Sequence, residues 1–175
     1  PVADTYVVAG TEGSWDHGAC PTVKTDRSPA SLVYLKFDLG AAAGRVARAW
    51  LELSCTNASV DGGTVYPVDD ASWVEGDRCA GGGAGLTWSA VDCNRDGVVD
   101  VRDAGPGCPY VPAFGRPVAA LGTVVAGRAV SVDVTAAVAA GPRVYTLALQ
   151  NASTDGAAYG AREGATAALR PRLRL

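Results

Sequence analysis

The chain has 175 residues and a formal net charge of −3, with 48% of its residues hydrophobic and 19% charged. That length suits one domain with a sizeable core, and the normal apolar fraction excludes an intrinsically disordered chain. No apolar run approaches the roughly 20 residues a membrane-spanning helix needs, and the mild acidity gives no footprint for nucleic acid or anionic lipid.

In chain order the periodicity is that of β-structure nearly throughout. Thr5–Ala9 opens the series. In Leu32–Leu39, the residues Val33, Leu35, Phe37 and Leu39 share one face and Tyr34, Lys36 and Asp38 the other. Ala49, Leu51, Leu53 and Cys55 alternate with Arg48, Trp50, Glu52 and Ser54. Thr64–Val68, Gly122–Ala126, Val144–Gln150 and Arg170–Leu175 are further strand-like runs, and Val130, Val132 and Val134 alternate with Ser131 and Asp133. One short helix is expected over Ala136–Ala140, capped by Thr135 and ended by Gly141 and Pro142. Many short strands, one minor helix and 22 glycines predict an all-β fold: a single antiparallel β-sandwich over residues 1–175, of jelly-roll type. A Gly/Pro/Asp-rich stretch over residues 80–117 reads as a long excursion from the sheets, of the length that is functional or tied down. Within it, Gly81–Gly85 reads as a flexible turn.

Five cysteines, at positions 20, 55, 79, 93 and 108, occur with one histidine and no C-x-x-C pair. This excludes a zinc set and predicts an oxidising, extracellular compartment, with up to two disulfides and one thiol left over. Three of the five fall between 79 and 108, so at least one bridge is expected to staple that stretch. The chain has no Met, and a start at Pro1 is what signal-peptide removal would leave.

The most specific pattern is the run from Asp92 to Asp103. Asp92, Asn94, Asp96, Asp100 and Asp103 place oxygen-bearing side chains at positions 1, 3, 5, 9 and 12, with Gly97 at 6 and the Val98 carbonyl at 7. This is the ligand spacing of a 12-residue Ca2+ loop, because a hard ion wants six to eight oxygens and alternate residues of a tight loop point inward. The loop resembles that of dockerin domains, but Ala104–Gly107 cannot build the helix that should leave it, so a structural role for calcium is expected, with Cys93 and Cys108 as candidate staples.

Catalysis finds little support. His17 is the one histidine, no nucleophile elbow occurs, and Asp69, Asp70, Glu75 and Asp77 read as a solvated acidic cluster and not a glycosidase pair. Among the aromatic residues, Trp50 is the best candidate to stack on a sugar, since it shares a strand face with Arg48 and Glu52; Trp15 and Tyr110, in loops, come next. Asn57 and Asn151 begin sequons.

Taken together, the residues Ala3–Val7, Tyr34–Leu39, Ala47–Leu53, Ser72–Gly76 with Leu86–Trp88, Val132–Thr135, Tyr159–Glu163 and Arg170–Leu173 resemble the DNRLRE-type domain. That family is related to disaggregatase repeats and to carbohydrate-binding modules of bacterial polysaccharide lyases. The resemblance implies a secreted β-sandwich without catalytic machinery, and the loop Asp92–Asp103 is an insertion relative to it. The expected function is a non-catalytic, calcium-stabilised module that adheres to polysaccharide or cell-surface glycan. The alternative is a filament subunit that binds copies of itself by lending a terminal strand, Pro1–Gly10 or Arg170–Leu175, to a neighbour.

Overall fold

A computed structural model describes residues 1–40, 46–105, 108, 116–139 and 143–175. Its strands are β1 (Ala3–Val8), β2 (Thr22–Arg27), β3 (Ala30–Asp38), β4 (Trp50–Asn57), β5 (Thr64–Val68), β6 (Ala119–Ala120), β7 (Ala129–Asp133), β8 (Val144–Gln150), β9 (Ala157–Gly160) and β10 (Arg172–Arg174). The helices are α1 (Trp88–Val91) and α2 (Thr135–Val138). Every strand pairing is antiparallel, as expected from the sequence.

One layer runs β1-β3-β8-β5-β6. The second runs β2-β9-β4-β7, with β10 pairing β4. Strand β2 joins them. Asp26 and Arg27 pair with β3 in the first layer, whereas Thr22–Thr25 pair with β9 in the second. Hydrogen bonding therefore wraps continuously through all ten strands, giving a sandwich that is nearly a barrel. Val33, Leu35, Leu51, Leu53, Val65, Leu147, Leu149 and Tyr159 fill the space between the layers.

The first layer is buried on both faces. Ala3, Val7, Leu32, Tyr34 and Ala148 point away from the second layer, into a separate cluster completed by Val68, Trp73, Leu86, Trp88, Val91 and Val99. Those last residues belong mostly to the connection between β5 and β6, whose residues 73–99 lie across the sheet as a third layer. Lys36 is drawn into it. Its Nζ donates to the Trp73 carbonyl at 2.5 Å and sits 4.4 Å from the centre of the indole ring.

Covalent and polar ties fix this covering layer. Cys20 pairs with Cys79, Cys93 with Cys108, and Cys55 remains a free buried thiol whose pKa burial pushes up. Asp16 is fully buried. Its carboxylate accepts from the amides of Gly18 (2.9 Å), Asp77 (3.1 Å) and Gly85 (3.3 Å). A Cβ on Gly76 or Gly83 would approach the Asp16 carboxylate to 2.1 or 2.2 Å. The glycines at 81–85 are thus not simply a flexible turn. Part of that segment folds around a buried anion that its own backbone donors satisfy.

Several expectations need adjusting. Gly122–Ala126 forms no strand and contributes only the bridge between Val124 and Ser59. The short helix begins at Thr135, whose Oγ1 accepts from the Ala49 amide while Asp133 Oδ1 accepts from the Thr135 amide. Its expected end at Ala140–Pro142 lies outside the described residues. Asn151 is 3% exposed and its Nδ2 donates to the Asp61 carbonyl, so its sequon is inaccessible in the folded chain.

Candidate functional site

The loop from Asp92 to Asp103 is positioned by α1. Trp88 and Val91 bury their side chains against the sheet, which leaves Asp92 at the helix C-terminus, only 5% exposed. Asp92 Oδ2 accepts from Trp88 Nε1 (2.9 Å) and from the Gly97 amide (3.0 Å), while Oδ1 is buried and has no hydrogen-bond partner among the described residues. Gly97 adopts a φ of 86°, which the turn at position 6 requires. At the far end Asp103 is 2% exposed and accepts from the amides of Asn94 (3.1 Å) and Asp100 (2.9 Å). Positions 1 and 12 are therefore both buried and are cross-braced to the loop backbone.

The intervening residues form a chain of short-range turns. Asn94 Oδ1 accepts from the Asp96 amide and Asp96 Oδ1 from the Val98 amide, each at 2.9 Å. Asp96 and Asp100 also share the Arg102 guanidinium, at 2.9 and 2.7 Å, and those hydrogen bonds hold the Asp100 carboxyl below its ordinary range. No three of the loop's carboxylates bring an oxygen each within 4.8 Å of one another. The donor set nevertheless fits a hard cation. The orphaned Oδ1 of Asp92 is a buried anionic acceptor without a donor, which is costly unless something positive meets it.

A second acidic group, at the start of β1, emerges only in three dimensions. Asp4, Glu75 and Glu163 place one carboxylate oxygen each within 4.8 Å of one another. Arg162 holds them together: its guanidinium pairs with Glu75 and Glu163, and its amide donates to Asp4 Oδ2 at 2.8 Å. Glu75 Oε1 further accepts from the Asp4 amide at 2.6 Å. Burial pushes the Asp4 carboxyl up to about 7 and raises Glu163 in the same sense. Glu75 thus departs from the solvated cluster expected of it, because Arg162 arrives from a segment 87 residues away. Asp69 and Asp77 remain exposed, as expected, and Asp70 is half-buried with its Oδ1 accepting from the Ser72 amide.

The aromatic candidates divide. Trp50 lies on the outer face of the second layer, half-buried, with Arg174 opposite it on β10, Asp133 opposite on β7 and the Arg174 guanidinium 5.2 Å from its ring. Trp15 is half-buried with its ring 6.3 Å from that of His17, which itself stacks on Tyr6 at 4.3 Å. Tyr110 lies outside the described residues. Trp73, Trp88 and Tyr159 are core.

Between the 92–103 loop and the sheet lies a cleft of about 360 Å³ that sequence reasoning did not anticipate. Asp26 and Arg27 from β2, Leu32 from β3 and Gln150 from β8 line one side, with Trp88 and Gly97–Val99 on the other. Its signal was out of reach because three strands distant in sequence meet the loop there.

Comparison with known proteins finds no match among curated proteins. Residues 1–78, which span β1–β5 and reach Glu75 but stop short of the Asp92–Asp103 loop, match the model of Carbohydrate-binding module family 96.

Proposed function

We propose that this chain is a secreted, non-catalytic carbohydrate-binding module, one that attaches to polysaccharide or cell-surface glycan and holds its covering layer in place with Ca2+. The family-model match over residues 1–78 carries the carbohydrate reading. Two disulfides in the folded chain support an oxidising, extracellular setting. The buried, donorless Oδ1 of Asp92 supports the cation, which Asp92, Asn94, Asp96, Asp100, Asp103 and the Val98 carbonyl would hold. Asp96 and Asp100 would then exchange Arg102 for the ion. What the ion supplies is structural: positive charge at the centre of a loop stapled by Cys93–Cys108.

The filament alternative requires β1 or β10 to leave partners it already has, six residue pairs with β3 for β1 and three with β4 for β10. That cost favours the adhesion reading. Native affinity electrophoresis through gels containing neutral and acidic polysaccharides, with calcium present, tests it. Retardation on at least one gel is the expected result, and migration unchanged on all of them would contradict it.

A further inference from the structure

The cleft under the 92–103 loop has a composition that a flat sheet face lacks. At about 360 Å³ it falls within the range of small-ligand sites. Its floor and lip are apolar: Leu32 and Trp88 are buried beneath it, while Val98 at the lip is 50% exposed, an uncovered branched side chain beside polar neighbours. Its polar wall carries Asp26, Arg27 and Gln150. Asp26 Oδ1 accepts from the Ser28 amide, and the side chains of Arg27 and Gln150 make no hydrogen bond or ion pair with the described residues. An acceptor, a five-donor guanidinium and an amide that both donates and accepts thus face an apolar floor.

We infer that this cleft binds a neutral pyranose unit of the polysaccharide, with the loop as its outer wall. The inference rests on the carbohydrate-binding reading above and assigns that reading a place. A pyranose ring has an apolar C–H face for Leu32, Trp88 and Val98, and a rim of hydroxyls for Arg27, Gln150 and Asp26. The charges of Asp26 and Arg27 offset each other, so an uncharged sugar suits the wall better than a carboxylated one. Trp50, the candidate from sequence, sits on the opposite layer with a cation already over its ring.

Calcium and sugar are coupled here through the backbone. The Gly97 amide donates to Asp92 and the Val98 amide to Asp96, so the two residues that form the lip hang on two of the carboxylates the ion would gather. The carbonyl of Val98 would serve the ion while its side chain serves the cleft.

The test is affinity electrophoresis of wild type, the double variant Arg27→Ala/Gln150→Ala and Trp50→Ala, in gels containing laminarin, xylan, galactomannan or pectate, with calcium or with chelator. The expected result is retardation of wild type and Trp50→Ala on a neutral gel, weakened about 10- to 100-fold in the double variant, as loss of two hydrogen-bonding side chains implies. Chelator should weaken wild type in the same direction. The Arg27 and Gln150 substitutions remove side chains that have no partner among the described residues, and an unchanged melting temperature confirms that the double variant is folded. Equal retardation of wild type and double variant, loss in Trp50→Ala alone, or retardation on pectate alone overturns the cleft assignment while leaving the carbohydrate reading intact. No retardation of wild type on any gel overturns both.

Discussion

Asp4 offers a sharp quantitative prediction. Its side chain lies beneath the surface with Glu75 and Glu163 nearby; the Arg162 guanidinium pairs with those two, and Asp4 itself accepts, among the described residues, only from the Arg162 backbone amide. In the unfolded chain the carboxyl releases its proton near 3.8; in the folded chain burial holds it until about 7. Below pH 4 both states are protonated and the group contributes nothing. Between pH 4 and 7 the folded state keeps a proton that the unfolded state has lost, so the unfolded state gains about 1.4 kcal/mol per pH unit. Above pH 7 the penalty levels off at about 4 kcal/mol. Asp4→Asn keeps the shape and an acceptor for the Arg162 amide but cannot ionise. The variant should therefore match wild type near pH 4 and exceed it progressively up to pH 8, by on the order of 10 °C in melting temperature for a chain of this size. A shallower slope, owed to Glu163, should persist in the variant. The assay is thermal unfolding followed by circular dichroism from pH 4 to 8. Parallel curves for the two proteins would refute the reasoning, as would a wild type that gains stability as pH rises through this window.

Other expectations follow from the same structure. Chelation should lower the melting temperature and open residues 80–117 to protease; at 100 times the dissociation constant the ion adds about 2.7 kcal/mol, which limited proteolysis and calorimetry would both register. Replacing Cys20 and Cys79 by Ala removes a link across 59 positions and should cost about 4 kcal/mol in denaturant unfolding, against about 3 kcal/mol for Cys93 and Cys108, whose separation is 15. Asp16→Ala strands three backbone donors, and Gly83→Ala drives a methyl into the Asp16 carboxylate; each should cost about 3 kcal/mol or more by the same measurement.

What the sequence disclosed, and what it withheld, follows the range of the interactions involved. Thr64–Val68 and Val144–Gln150 are bounded by turn residues, and both runs match β5 and β8 residue for residue. Strand β2 escaped because Thr22–Arg27 carries three charged residues and one aliphatic. Its place is set by Thr25, whose Oγ1 donates to the carbonyls of Ser31 and Leu149. Strand β9 is Ala-Ala-Tyr-Gly, too short and too small to show a period. Alternation in β3 separated its two faces correctly but could not reveal that both are covered, since the cover arrives from Trp73, Leu86, Trp88, Val91 and Val99, far along the chain. The Asp92–Asp103 run could be read as a candidate cation loop from spacing alone, because its oxygen-bearing residues fall within one twelve-residue stretch. The trio of Asp4, Glu75 and Glu163 and the cleft were illegible, because each is assembled from segments that meet only after folding.

Isothermal titration of calcium into metal-stripped protein tests the central claim most directly. The account predicts one ion per chain, with the heat abolished in Asp92→Ala and retained in Glu163→Gln. Absence of heat in the wild type, or heat that survives Asp92→Ala and disappears in Glu163→Gln, would contradict it.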